Sequence, residues 1–155
     1  MSESWHQYQM RVPYKDTDQM GVVHHGNYIF WFEAARIEFM RHYGFSYFDL
    51  EERGFYLPVI DVNINYKKSA HFDDAVGIFT KINSFSPIRL TFYYEARRIN
   101  KEVSNQIDNN ISIETKGELL AYGTTEHTWM NADWKPTRIH KTLPEVYQIL
   151  KSLTS

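Results

Sequence analysis

A single helical run, followed by a long tract of two-residue alternation, leaves this chain few folds to choose from. Between Asn27 and Tyr43, the residues Ile29, Phe32, Arg36, Phe39 and Tyr43 fall at steps of three and four, with Ala34 and Ala35 between them. Asn27 reads as the N-cap, and Gly44 stands where a C-cap glycine belongs. A run of this length makes a helix of about 25 Å. The small Ala34 and Ala35 let it lie close to a sheet.

A short second helix is predicted over Tyr47 to Arg53, ended by Gly54, and then the period changes. Ile60, Val62, Ile64 and Tyr66 alternate with Asp61, Asn63, Asn65 and Lys67, which predicts a strand with one wet face. After the turn Phe72-Asp73-Asp74 comes a strand from Ala75 to Asn83. A second turn, Ser84 to Pro87, leads into the alternation from Ile88 to Arg97. Residues 100–110 read as a long connection whose ends extend as a hairpin, with Asp108-Asn109-Asn110 as its turn. The last strand runs from Glu118 to Met130, where Ala121 and Gly123 share a face and let a helix approach. A loop follows over Asn131 to Pro136, then a terminal helix from Leu143 to Leu153, entered through Pro144. Trp5 to Val12 forms a first strand. The order predicts an α+β fold: residues 1–155 as one domain, with an antiparallel sheet wrapped on one dominant helix. One helix cannot cover both faces of such a sheet, and its edges need protection, so a homodimer or homotetramer is expected.

Composition narrows the chemistry. The chain has 155 residues, net charge −2 and no cysteine, which removes thiolate catalysis, disulfides and cysteine metal sites. The charge gives no support for nucleic-acid binding. Met1 to His6 does not read as a secretory signal, and no apolar stretch is long enough to span a bilayer. A cytoplasmic protein is expected, with no membrane partner.

The residues that carry chemistry lie directly before the long helix, in Asp16-Thr-Asp18-Gln-Met-Gly21-Val-Val-His24-His25-Gly26-Asn27-Tyr28. Unpaired N–H groups at a helix N-terminus stabilise an oxyanion, while a neighbouring carboxylate attacks a carbonyl or activates water. That combination is suited to acyl transfer. Gly21 and Gly26 supply backbone freedom to the loop. His24 and His25 are a poor chelate, with no third ligand at metal spacing, so no metal and no cofactor are expected.

The motif Asp16-Thr17-Asp18-x-x-Gly21-x-Val23-x-His25-x-x-Tyr28, followed by Trp31-x-Glu33-x-Ala35-Arg36, resembles the 4-hydroxybenzoyl-CoA thioesterase-like branch of the hotdog-fold acyl-CoA thioesterases. Tyr66-x-x-Ser69 with Asp73-Asp74, and Ala121-x-Gly123-x-Thr125-x-His127, resemble its later strands. The resemblance implies a hotdog fold with the site at a dimer interface and Asp18 as the catalytic acid, acting as nucleophile or general base. It implies a thioester-orienting role for His25, with its N–H, or those of Gly26 and Asn27, as oxyanion donor. Lys67, Lys68, Arg89, Arg97, Arg98 and Lys101 are candidates for the phosphates of a CoA substrate, and Val59 and Ile60, beside Pro58, for the acyl pocket. Glu33 is a second-choice acid and pairs with Arg36 on the helix. His25 stands where the benzoyl-specific members carry tyrosine, which points to short- to medium-chain aliphatic acyl-CoA. Two other readings start from the same residues: a hotdog hydratase or dehydratase, and a non-catalytic module that binds acyl-CoA.

Overall fold

The computed structural model describes residues 4–99, 110–112 and 114–154. Among them one antiparallel sheet holds β1 (Trp5–Arg11), β2 (Val59–Tyr66), β3 (Ala75–Phe85), β4 (Arg89–Arg98), the short β5 (Asn110–Ser112) and β6 (Glu118–Thr128). Their order across the sheet is β2-β6-β4-β3-β1-β5. Most of the connection read over 100–110 lies outside the described residues; its last residue, Asn110, expected in a turn, instead opens β5, because it pairs with Gln7 of β1.

Helix α1 (Asn27–His42) lies on one face of this sheet and forms the core with it. Phe32 stacks on Tyr94 with ring centres 4.6 Å apart, and Phe39 meets Phe92 edge-on at 5.4 Å. The helical period of the sequence is what aligns Tyr28, Trp31, Phe32, Ala35 and Phe39 on the buried side. Gly44, at φ +86°, ends the helix as expected, its left-handed backbone letting Phe45 N–H reach the Met40 carbonyl at 3.0 Å. The start differs from expectation. Gly26 is the cap, without a side-chain cap bond, and Asn27 is the first helical residue. The Asn27 amide is turned away to the Asp16 carbonyl at 2.9 Å.

The short α2 (Tyr47–Glu52) is capped by Ser46, and α3 (Ile139–Thr142) and α4 (Pro144–Thr154) close one end of the sheet. Three elements escaped the sequence reading, β5, α3 and a 3-10 turn over Tyr14–Asp16, all too short to show a period. Gly123 also has another reason than the one expected. A Cβ there would stand 1.9 Å from the Asn63 carbonyl oxygen, so the small residue admits β2, not a helix.

The outer face of the sheet carries alternating cations and rings rather than a covering layer. Trp5, Tyr93 and Tyr122 follow one another at 5.8 and 6.5 Å, with Lys81 over Trp5 at 4.7 Å and Lys67 over Tyr122 at 5.7 Å. Strand β2 departs most from expectation: it is wet on both faces. Val59, Ile60, Val62 and Tyr66 are each 40–48% exposed, and only Ile64 is partly packed on the core. The cause is position, since β2 is an edge strand paired only with β6.

Candidate active site

The loop from Asp16 to Asn27 is held by one buried carboxylate. Asp16 is 8% exposed; its Oδ2 accepts the Trp31 indole N–H at 3.0 Å, and its carbonyl accepts His24 N–H at 3.0 Å and the Asn27 amide. These bonds fasten the loop to α1. Val23 N–H adds a bond to the Ala70 carbonyl at 2.9 Å, tying the loop to the chain beyond β2.

Asp18 has different surroundings. It is exposed, and its Oδ1 accepts Met20 N–H at 2.8 Å and Val22 N–H at 3.4 Å, while its carbonyl accepts Gly21 N–H at 3.0 Å. Gly21, at φ +81°, makes this tight turn possible. Among the described residues Oδ2 accepts no hydrogen bond. Gly26, by contrast, sits at φ −65°, so the freedom expected of it is not used.

The N–H groups after Asp18 can be sorted individually. Gly26 N–H bonds the His24 ring Nδ1 at 3.2 Å, and Asn27 N–H bonds the His24 carbonyl at 3.0 Å. Among the described residues the His25 N–H has no acceptor. Its own carbonyl accepts the Tyr66 hydroxyl at 3.1 Å, which ties the helix entry to the end of β2. Of three expected oxyanion donors, one is free.

A cleft of about 220 Å³ opens here, lined among others by His25, Tyr28, Tyr66, Lys67, Lys68 and Ser69. His25 stacks on His24 at 4.4 Å and meets the Tyr66 ring edge-on at 6.1 Å. The structure therefore brings His25 and Lys67 together, with Gly26 and Asn27 following at the helix entry. Asp18 stands in the same loop but does not line this cleft. Arg89 is elsewhere: it pairs with Glu126 at 3.1 Å, at the opposite end of β4 and β6 from this cleft. Val59 and Ile60 lie at the far end of β2. Tyr66 and Lys68 frame the cleft as well. Sequence reading gave Tyr66 no role, because in a two-residue alternation it looks like any other strand residue.

Glu33 and Arg36 do not form the expected pair. Arg36 turns inward, 5% exposed, and donates from Nε to the Tyr47 hydroxyl at 2.8 Å and from Nη1 to the Tyr94 hydroxyl at 3.1 Å. From there a chain of bonds crosses the core: Tyr94 to Thr125 at 2.6 Å, Thr125 to the His127 ring Nε2 at 2.8 Å, and Nδ1 to the Leu57 carbonyl at 3.2 Å. The two ends set its direction. Arginine can only donate and a carbonyl can only accept, so each hydroxyl donates toward His127, and the ring is neutral with its proton on Nδ1. Burial, with Arg36 nearby, pushes the His127 pKa down to about 3.

Residues 20–104 match the Thioesterase superfamily. The putative acyl-CoA thioesterase YneP of Bacillus subtilis is 30% identical over 138 residues, 88% of each chain. The acyl-CoA thioester hydrolase YbgC of Escherichia coli is 35% identical over 92 residues, 59% of this chain and 69% of that one. Among solved structures, the DHNA-CoA thioesterase of Staphylococcus aureus superposes with a TM-score of 0.82 at 32% identity, covering 96% of this chain and 90% of the other.

Proposed function

The chain belongs to the thioesterase superfamily and has its hotdog fold, and on that premise we propose that it hydrolyses acyl-CoA thioesters to free acid and CoA with Asp18 as its carboxylate. The observation that carries this reading is the His25 N–H at the entry of α1, without an acceptor among the described residues, beside a cleft flanked by Lys67 and Lys68. A backbone N–H left over for a ligand stabilises the oxyanion formed when a thioester carbonyl is attacked. The two lysines suit the phosphates of CoA.

Asp18 supplies the second half. Two backbone N–H groups hold Oδ1, leaving Oδ2 to attack the carbonyl or to take a proton from water. Asp16, buried and bonded to Trp31, positions the loop. The acyl groups expected from His25 are short- to medium-chain aliphatic ones.

The site is open on the side of β2, and we take a second copy of the chain to close it. An edge strand with unpaired N–H and C=O groups and four exposed apolar side chains suits pairing with its own copy across a two-fold axis. Relatives named as thioesterases weigh against a module that only binds acyl-CoA.

The test is CoA release from a panel of acyl-CoA esters by wild type and Asp18→Asn. Asparagine keeps the Oδ1 acceptor for Met20 and Val22, so the turn survives. We expect a loss of about a hundredfold or more in kcat. An unchanged rate would move the acid to Glu33.

A further inference from the structure

A second cleft, of about 450 Å³, borders α1 and the opposite end of β2, lined by Glu33, Arg36, Tyr47, Glu51, Leu57 and Val59 among others. Its floor is unusual chemistry for a hydrocarbon pocket. Arg36 is 5% exposed, and its guanidinium is charged at any physiological pH. A buried cation normally has a carboxylate against it. Among the described residues Arg36 has none within ion-pair distance; its partners are the hydroxyls of Tyr47 and Tyr94, and Nη2 donates to nothing. The walls supplied by Leu57 and Val59 are apolar, while Glu33 and Glu51 stand at the same cleft.

We propose that Arg36 determines acyl specificity: its Nη2 donates to an uncharged oxygen, a hydroxyl or keto group, at the far end of the acyl chain. The inference rests on the thioesterase reading and narrows its substrate class. The two carboxylates at the cleft decide the charge of the ligand. A terminal carboxylate would face both Glu33 and Glu51, whereas a hydroxyl accepts from Arg36 and donates to either acid. A plain methyl end seated in the cleft would displace water from the Nη2 donors without offering an acceptor, which is the arrangement that gives large discrimination.

The location fits the same picture. Along α1, His25 and Arg36 are separated by about 16 Å within one protomer. The two clefts flank opposite ends of β2, at Tyr66 and at Val59. An antiparallel two-fold pairing of β2 exchanges those ends, setting the Arg36 cleft of one protomer beside the His25 cleft of its partner.

The test compares kcat/KM for butyryl-, hexanoyl-, octanoyl- and decanoyl-CoA with their terminal-hydroxy and terminal-carboxy counterparts. At one chain length or more, the hydroxy ester should exceed the plain ester about tenfold. The carboxy ester should trail both. Because Arg36 also braces Tyr47 and Tyr94, a methionine there risks the fold, so the exposed Glu51→Gln is the informative variant. It should raise turnover of the carboxy ester severalfold relative to that of the plain ester. A wild type that treats hydroxy and plain esters alike at every length overturns the proposal while the thioesterase reading stands. If no ester is cleaved, both fall.

Discussion

Two aspartates two residues apart divide the work of the loop, and the division follows from where each carboxylate lies. Asp16 is buried against Trp31 and holds the loop's shape, while Asp18 is exposed, with one oxygen outside the local bonding. Their order in the sequence does not disclose this. The resemblance singled out Asp18, but the buried partner of Asp16 sits fifteen positions away on α1. His127 makes a residue-scale prediction about pH. Its pKa is lowered to about 3, and that of His6, buried without a hydrogen-bond partner for either ring nitrogen among the described residues, to about 4. In the unfolded chain both bind protons near pH 6.5, so between there and pH 4 the unfolded state holds more protons. Stability is full above about pH 6.5 and falls as the pH is lowered, by up to about 1.4 kcal/mol per pH unit for each group. Urea midpoints measured from pH 7.5 down to pH 4.5 should show this slope. His127→Asn should reduce it by one histidine's share.

At the level of elements, the long helix and the alternating strands were legible because their periods repeat over many residues. The Tyr47 helix and the C-terminal helix were found within a residue or two as well, from their glycine and proline boundaries. What escaped was set by contacts distant in sequence. β2 was read as half-buried because its alternation is regular, yet among the described residues no element covers its exposed side chains. Gly123 was recognised as a close approach but assigned the wrong neighbour, since only the register Ile64 to Gly123 brings the Asn63 carbonyl over it. Arg89, expected near substrate, lies away from the His25 cleft for the same reason: position in the sheet order cannot be read from one strand. The glycines give a paired prediction. Gly123→Ala drives a Cβ into backbone and should destabilise by about 3 kcal/mol or more, whereas Gly26→Ala meets only the His24 ring at 3.4 Å and should stay within about 1 kcal/mol. Chemical denaturation of the two variants side by side checks it.

For the whole molecule, the exposed edge of β2 and the open clefts at its two ends make one problem with one solution, a second copy. Val62, near the middle of the strand and 40% exposed, is the position at which to test it. Val62→Arg places two like charges close to the two-fold axis. Sedimentation should show a shift toward monomer, and thioester turnover should fall with it. A monomeric variant of full activity would mean that each protomer is complete by itself. The buried chain from Arg36 to the Leu57 carbonyl has a different kind of consequence. Its side chains come from α1, β4 and β6, and every link depends on the one before pointing the right way. Replacing Tyr94 by phenylalanine would cut it in two, because Arg36 would lose an acceptor and Thr125 a donor at one stroke. Descendants of this sequence should therefore inherit residues 36, 94, 125 and 127 together or lose them together, while position 57, which lends only its backbone, is free to drift.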